Sequence, residues 1–203
     1  MSTWAIVPVK PFSEGKSRMR NCFNNEELRE INKKCFIRTL KKLQDNDEID
    51  KVFVISRSQE VLEIAQNLNA EGLLEREPFS LNNGLSQALL HLDDKPWSRV
   101  LIIPTDLPRL ECRDIEALLA RPLGWQGIAL VPDHFQTGTN AVLLCNTEGF
   151  VPLFGQNSFQ KHARQALKIS GNLDVLLIEN IQHDLDTYAD LEMLDKKILN
   201  QLK

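Results

Sequence analysis

The chain has 203 residues, of which 42% are hydrophobic, so it is long enough for one sizeable core and too short to require two. Its 24 Lys and Arg against 28 Asp and Glu give a net charge of −4, which excludes a global basic field for nucleic acid or an anionic membrane. No apolar stretch approaches the roughly 20 residues of a membrane span, and MSTWAIVPVK lacks the features of a signal peptide, so we expect one cytoplasmic domain over residues 1–203.

Short apolar runs rich in Val and Ile recur along the chain. They cover residues 4–9, 51–56, 99–104, 127–132, 141–145 and 174–178. Unalternating runs of this length are typical of strands that are buried on both faces of a sheet. We therefore predict a strand at each of them.

Helical patterns lie between these runs. Leu28 to Leu43 follow helical spacing behind Asn25 as the expected N-cap, and Ser58 is expected to cap a helix through Ala65. Further helices are predicted at 82–92, 114–120, 158–169 and 188–202. This alternation predicts an α/β fold with a mostly parallel central sheet, helices on both faces and ligands beyond the carboxyl ends of the strands.

The cysteines are far apart in the sequence. Cys22, Cys35, Cys112 and Cys145 form no C-x-x-C motif, and Cys35 and Cys145 lie in apolar patterns. We expect reduced thiols of a cytosolic protein.

The first predicted strand leads into VKPFSEGKSRMR, where Lys10, Lys16, Arg18 and Arg20 gather. The tail EGKS has part of a P-loop motif, but that motif needs Gly where this chain has Lys10, so we reject a P-loop enzyme. A cationic loop at this position can bind a triphosphate through its side chains. A solvated basic loop is the plain alternative, and the placement after a buried strand favours phosphate binding.

SLNNGLSQAL opens the helix predicted at 82–92. Asn82, Asn83 and Gly84 could present amides and backbone to the edge of a nucleobase. A simple junction between a loop and a helix explains the same residues nearly as well.

Asp106 stands in IIPTDLP, directly after a predicted buried strand. A carboxylate there is well placed to hold a divalent ion that bridges nucleotide phosphates. A turn-forming aspartate is an equally good explanation of this residue taken alone.

Two further stretches offer neutral donors or an anion site. Gly138, Thr139 and Asn140 precede the strand predicted at 141–145 and could contact a phosphate or carboxylate. Gly155 and Ser158 lie at the start of a predicted helix, where backbone N–H groups attract anions. An ordinary N-cap at Ser158 and an exposed position for His162 are the plain alternatives, and we do not expect His162 to act as a general base.

Asp184 and Asp186 follow the run at 174–178 in IENIQHDLDTYADL. Side chains two positions apart in an extended segment project to the same side, and two carboxylates there suit Mg²⁺. Thr187 and Asp190 have the form of a capping box that can start the next helix without either aspartate. If Asp186 is the N-cap instead, only Asp184 lacks a structural reason.

The order VPVK…GKSRM, LNNGLSQAL, IIPTDLP, GTNAVLL, FGQNSFQKHARQA and HDLDTYADL resembles the CofC family over roughly residues 4–195. The members are guanylyltransferases of coenzyme F-420 biosynthesis with the nucleotide-diphospho-sugar transferase (GT-A-like) fold. The resemblance implies that GTP and 2-phospho-L-lactate, phosphoenolpyruvate or 3-phospho-D-glycerate yield a guanosine-diphospho acid and pyrophosphate.

The resemblance also implies roles for individual residues. The metal-binding aspartates would be Asp106, Asp184 and Asp186 with Mg²⁺. The acceptor-acid contacts would be Asn140 or its neighbour Thr139, together with Gly155 and Ser158. We assign Lys10, Asn82 and Gly84 to GTP, and Lys16 and Arg18, with Asp106, to catalysis. Because an acceptor phosphate can attack the α-phosphorus directly, positioning and charge neutralisation suffice without a protein nucleophile.

Two alternatives accompany this hypothesis. The same fold could serve a sugar-phosphate or molybdopterin nucleotidyltransferase, although VKPFSEGKSR lacks the glycine-rich signature usual in the first loop of those families. The chain could also be a catalytically silent nucleotide-binding protein. The acceptor acid and the oligomeric state are not determined by sequence, a homodimer being merely the commonest oligomer.

Overall fold

The apolar runs form the strands of one sheet. The computed structural model describes residues 2–92, 97–122 and 124–202. The strands are β1 (Thr3–Pro8), β2 (Lys51–Ser56), β3 (Glu71–Leu74), β4 (Arg99–Ile102), β5 (Gly127–Pro132), β6 (Thr139–Cys145) and β7 (Leu173–Val175).

The sheet is mostly parallel, as predicted. Its strand order is β3-β2-β1-β4-β6-β5-β7. Neighbouring strands pair in parallel except at β6, which is antiparallel to both β4 and β5. The amino end of β6 therefore lies at the same edge of the sheet as the carboxyl ends of the other strands.

Helices cover both faces of the sheet. They are α1 (Asn25–Gln44), α2 (Gln59–Asn67), α3 (Leu81–Leu92), α4 (Cys112–Leu119), α5 (Ser158–Ile169), α6 (Glu179–Gln182), α7 (Tyr188–Glu192) and α8 (Lys196–Leu202). One core joins buried residues of α1, α2 and α4 to one face, and the other joins α3 and α5 to the opposite face. The predicted α/β class with helices on both faces is confirmed.

The strand predictions erred where a strand is largely exposed or ends earlier than its apolar run. β3 was missed because its side chains are largely exposed, so it offers no apolar run. The run at 99–104 is a strand only to Ile102, and the run at 174–178 gives the short β7 followed by helix α6. Asp184 is therefore separated from β7 by a helical turn. Thr139 and Asn140 do not precede β6 but form its first two residues.

The helix predictions erred mainly at their ends. The N-cap of α1 is Asn24, not Asn25, because the Asn24 side chain accepts from the N–H groups of Glu26 and Glu27. Ser58 caps α2 as predicted. The prediction of one helix over 188–202 was wrong, since α7 ends at Glu192 and α8 begins at Lys196.

The C-terminal helices pack on the start of α1. Leu191, Leu194 and Ile198 form a third core with Leu28 and Ile31, and this core also includes Met19, Cys35 and Leu185. The burial of apolar side chains in this third core holds the segment between α6 and α7 beside the loop that follows β1.

Two expectations from composition can be compared with the structure. No helix in the described ranges is long and apolar enough to cross a bilayer. All four cysteines are free, and Cys35 and Cys145 are buried, as their apolar patterns predicted.

Candidate active site

The loops at the carboxyl edge of the sheet surround a cavity of about 500 Å³. The residues after β1, β2, β3 and β4 line it, and Asp186 from the C-terminal segment joins them. The parallel order of these four strands brings the loops together, because parallel strands end at one edge. The cavity is where α/β folds of this kind bind ligands.

Three carboxylates meet at this edge. Asp106, Asp184 and Asp186 each place one oxygen so that the three oxygens lie within 4.8 Å of one another. The Oδ1 atom of Asp106 is buried without a hydrogen-bond partner in the described structure. Unpaired carboxylate oxygens this close repel unless a cation is shared, and oxygen donors suit a hard ion such as Mg²⁺. The donor set fits the metal that we predicted.

The buried Leu185 holds the three aspartates together. Its side chain is completely buried in the third core, and Asp184 and Asp186 flank it along the chain. Its backbone N–H donates to the carbonyl oxygen of Asp106 at 2.8 Å, and its own carbonyl accepts from Lys16 Nζ. One residue therefore joins the loop after β1, the loop after β4 and the C-terminal segment.

Without a bound cation, the surroundings of Asp106 and Asp184 disfavour the ionised forms of these carboxyl groups. Burial raises the pKa of Asp106; Lys16 opposes this shift, whereas the charges of Asp184 and Asp186 add to it. Burial likewise raises the pKa of Asp184, and the neighbouring Asp186 raises it further. A divalent cation would reverse these effects by stabilising the ionised carboxylates.

Asp186 is not a helix cap. The N-cap of α7 is Thr187, whose hydroxyl accepts from the N–H of Asp190, while Asp190 accepts from the N–H of Thr187 in return. The predicted capping box is confirmed. Asp190 also accepts from the N–H of Asp186 at 3.0 Å, which leaves the Asp186 carboxylate outside the cap.

The cationic residues of the first loop lie beside the carboxylates. Lys16 adopts a left-handed conformation at the start of a short 3-10 helix, Ser17–Met19, and lines the cavity. Arg18 places its Nη1 atom 3.9 Å from Asp186 Oδ2, and both side chains are largely exposed. Lys10 is exposed and lines the cavity as well. The loop after β1, which we predicted to bind phosphate, therefore lies next to the carboxylates of Asp106, Asp184 and Asp186.

Asn140 supports the cluster from β6. Its Nδ2 donates to the carbonyl oxygen of Ile181 at 2.8 Å and reaches Asp184 Oδ1 at 3.5 Å. Asn140 is 7% exposed, and these two contacts use most of the donor capacity of its side-chain amide. The structure therefore shows Asn140 engaged with Asp184, a contact that the sequence did not predict.

Thr139 is paired with a buried histidine. His162 on α5 is completely buried, so the alternative of an exposed side chain is wrong. Its Nε2 accepts from the N–H of Leu153 at 2.9 Å, which leaves the ring proton on Nδ1 to donate to Thr139 Oγ1 at 2.9 Å. The Thr139 hydroxyl proton then remains available to another acceptor. Burial, with a smaller contribution from the charge of Lys161, lowers the pKa of His162 to about 4.

The start of α5 is only partly available to an anion. Its N-cap is Asn157 rather than Ser158, and the N–H of Ser158 donates to the carbonyl oxygen of Gly155 at 3.0 Å. The N–H of Phe159 donates to the carbonyl oxygen of Thr137 at 3.2 Å. Gly155 has φ +113°, with open space where a side chain would begin, and Ser158 is buried. The helix start that we predicted exists with two of its first donors already used.

Asn82 has a structural partner that the sequence did not reveal. Its Oδ1 accepts from the N–H of Phe154 at 2.8 Å, and its Nδ2 donates to the Phe154 carbonyl at 3.1 Å. The side chain joins α3 to the loop before α5 instead of facing the cavity with a free amide. Gly84, in contrast, is buried and lines the cavity.

Sequence reasoning missed several cavity residues. Glu75, Phe79 and Arg57 all line the cavity from the loops after β2 and β3. No motif pointed to Glu75 or Phe79, because they follow the exposed strand that has no apolar run. Arg57 could be identified from the sequence only by its position directly after the strand predicted at 51–56.

The chain matches one protein family over almost its whole length. The family is described as "Guanylyl transferase CofC like", and residues 3–196 match it. The match includes every site residue described above.

Curated relatives agree with this match. A phosphoenolpyruvate guanylyltransferase of Sphaerobacter thermophilus is 35% identical over 194 residues, covering 96% of this chain and 93% of that protein. A 2-phospho-L-lactate guanylyltransferase of Methanosphaera stadtmanae is 27% identical over 185 residues, covering 89% of this chain and 77% of that protein.

A solved structure agrees in fold. A candidate nucleotide-diphospho-sugar transferase of Desulfovibrio desulfuricans G20 has a TM-score of 0.74 at 16% identity and covers 100% of this chain and 94% of that chain. At this identity the likeness concerns the fold alone. It confirms the fold that was predicted from the order of the motifs.

Proposed function

The chain belongs to the CofC-like guanylyltransferase family, and from this membership we propose that it transfers GMP from GTP to a small phosphorylated three-carbon acid. The acceptor would be phosphoenolpyruvate, 2-phospho-L-lactate or 3-phospho-D-glycerate, and pyrophosphate would be released. The product would serve coenzyme F-420 biosynthesis. The free cysteines are consistent with a cytoplasmic enzyme.

The observation that carries the proposal is the meeting of Asp106, Asp184 and Asp186 within 4.8 Å at the edge of the cavity. These residues would hold Mg²⁺. The ion would neutralise charge on the phosphate oxygens of the nucleotide when it is bound. Family and geometry thus support the same phosphoryl chemistry.

The chain's own residues would position the reactants. A phosphate oxygen of the acid forms a bond to the α-phosphorus of GTP, and the bond from that phosphorus to the bridging oxygen of pyrophosphate breaks. Lys16, held by the Leu185 carbonyl, and Arg18, beside Asp186, lie where they can stabilise the departing pyrophosphate. No protein side chain needs to act as a nucleophile.

The acceptor would lie on the other side of the carboxylates from the cavity. Thr139 and Asn140 are at the start of β6, next to β4, and α5 begins behind them. Because His162 donates to Thr139 Oγ1, the Thr139 hydroxyl can donate its own proton to a phosphate or carboxylate of the acid. We propose this role for Thr139 and a supporting role for Asn140.

The test is pyrophosphate release from GTP and Mg²⁺ with each acid separately, followed by mass analysis of the product. We expect a guanosine-diphospho acid with at least one acid, and phosphoenolpyruvate is the first to try because a relative with 35% identity carries that name. Release with a sugar phosphate but with none of the acids would contradict the proposal. Release with none of these acceptors would also contradict it.

A further inference from the structure

Glu75 brings a carboxylate without a cationic partner into the cavity. It directly follows β3 and lines the cavity, and its backbone N–H donates to the Ser56 carbonyl at 2.9 Å. In the described ranges no Lys, Arg or His forms an ion pair with it. Such a group is suited to accept hydrogen bonds from neutral donors of a ligand.

One oxygen of Glu75 is already fixed by the start of α3. Oε1 accepts from the N–H of Ser80 at 3.2 Å. A Cβ atom at position 84 would lie 3.3 Å from this oxygen, so the glycine found there leaves space for the carboxylate. Oε2 has no hydrogen-bond partner among residues 2–92, 97–122 and 124–202. The carboxylate is therefore oriented while half of its acceptor capacity remains free.

The surroundings of Glu75 are suited to a flat aromatic ligand. Phe79 and Leu81 line the cavity although they are 44% and 42% exposed. The guanidinium carbon of Arg57 lies 5.0 Å from the centre of the Phe79 ring, which steadies the aromatic side chain. Exposed apolar groups at a cavity wall are the usual surfaces on which nucleobases stack.

The place of Glu75 along the sheet separates it from the carboxylate cluster. In the order β3-β2-β1-β4, three strand spacings lie between the ends of β3 and β4. At roughly 4.8 Å per spacing this is about 14 Å along the sheet. Phosphates at Asp106 and a base at Glu75 would thus occupy opposite ends of one cavity, with the cationic loop after β1 between them.

We propose that Glu75 is the residue that selects guanine. Its carboxylate would accept from N1–H and the 2-amino group of the base. This inference rests on the proposed use of GTP. Adenine presents an acceptor at N1 and no amino group at C2, so its edge would leave the carboxylate unpaired and set acceptor against acceptor. Hypoxanthine keeps N1–H but lacks the amino group, so it should rank between them.

The experiment measures nucleotide binding without an acceptor acid, so that turnover plays no part. GTP, ITP and ATP are titrated with Mg²⁺ in competition with a fluorescent GTP analogue. The full chain is compared with Glu75→Gln. Glu77→Gln is the matched control, because Glu77 is exposed two positions further on and does not line the cavity. The glutamine oxygen can still accept from the Ser80 N–H, so the variant is expected to fold.

We expect the parent to bind in the order GTP, ITP, ATP. Glu75→Gln should weaken GTP by roughly 10- to 100-fold, the scale of hydrogen bonds to a charged group, and leave ATP nearly unchanged. Glu77→Gln should behave as the parent. Equal binding of GTP and ATP by the parent, or unchanged preference in Glu75→Gln, would overturn the inference.

The two proposals can fail separately. Turnover of GTP with an acid, together with unaltered selectivity in Glu75→Gln, would reject the role of Glu75 and leave the guanylyltransferase proposal standing. Selective GTP binding that depends on Glu75, with no turnover of any acid, would do the reverse.

Discussion

The two sides of the carboxylate cluster differ in how many of their polar groups are already engaged. On the β1–β3 side, Lys10, Glu75 and Phe79 line an open cavity. On the β6 side, Thr139 and Asn140 are each 7% exposed and are hydrogen-bonded to His162 and to Ile181 with Asp184. The first side is the open space that we propose for the nucleotide, and the second is a hydrogen-bonded region that we propose for the acceptor.

This difference suggests that the two sides respond differently to substitution. A change on the open side should alter the affinity for one ligand. A change on the buried side should move a neighbouring group or lower stability first. The predictions below test this division from the largest expected effect to the smallest.

Asp184→Asn changes a residue that lies between the two sides of the carboxylate cluster. We expect turnover to fall by roughly 10³-fold or more, since a ligand of the ion that would neutralise the phosphate charge is lost. Affinity for Mg²⁺, measured by calorimetry, should fall as well. Folding should be retained, because burial and Asp186 already disfavour the Asp184 charge.

The control for this change is Asp47→Asn at an exposed position. It should match the parent in turnover, Mg²⁺ affinity and thermal unfolding. Normal turnover and Mg²⁺ binding by Asp184→Asn would remove the cluster from the reaction and end the comparison built on it.

His162 tests the buried side by pH. Its pKa in the folded protein is about 4, below the ordinary 6.5, so the unfolded chain binds more protons between these values. The stability that this difference contributes is fully present above pH 6.5 and is lost as the pH falls through 4. It amounts to about 3 kcal/mol at most.

Denaturant unfolding from pH 7 to pH 4 measures this effect. His162→Gln should be less stable at pH 7 but should lack this share of the decrease toward pH 4. His134→Gln, an exposed position, should keep the parent's decrease. An identical slope in His162→Gln would mean that His162 is not held neutral by the fold.

Asn140→Ala tests whether β6 positions the carboxylates of Asp106, Asp184 and Asp186. Loss of the amide leaves the Ile181 carbonyl without this donor and removes the contact with Asp184. We expect kcat to fall by roughly 10- to 100-fold, the usual cost of removing a partner of a metal-binding group. Mg²⁺ affinity, read by calorimetry, should weaken in parallel.

Asn180→Ala is the matched change, because it removes an amide that donates to Asp114 at 2.9 Å, outside the cluster. It should leave kcat near the parent value. If Asn140→Ala instead raised only the KM of the acid, direct acceptor contact would be its main role.

Asn82→Ala should have the smallest effect on the reaction. It removes both hydrogen bonds with Phe154 that join α3 to the loop before α5. We expect a loss of about 1–2 kcal/mol in stability by denaturant unfolding, with KM for GTP nearly unchanged. A large rise in this KM with no loss of stability would restore Asn82 as a nucleotide contact.

The sequence predicted the scaffold well because buried strands and amphipathic helices leave periodic signals. The apolar runs that form β1, β2 and β5, and the helical spacing of apolar residues along α1, follow directly from burial. Exposed β3 left no such signal. The break between α7 and α8 was overlooked although Asp195 precedes α8 and its Oδ1 accepts from the N–H of Ile198 at 2.8 Å.

The site was predicted where residue type and position after a strand agree. Residue type and position along the chain predict Asp106, Asp184 and Asp186, and the structure brings their oxygens together. Hydrogen-bond partners could not be predicted, because they depend on distant residues. The pairs Asn82 with Phe154 and Thr139 with His162 span 72 and 23 positions of the chain.

The reversed direction of β6 bears on how the protein can diverge. Its first residues pair with β5 and residues 142–145 pair with both β4 and β5, so an inserted or deleted residue within β6 would shift the register of one pairing or of both. The loop after β3 follows the edge strand of the sheet and can change length at little cost. Preference for a new acceptor should therefore arise by exchange of single side chains, whereas a new nucleotide preference can also arise by loop remodelling.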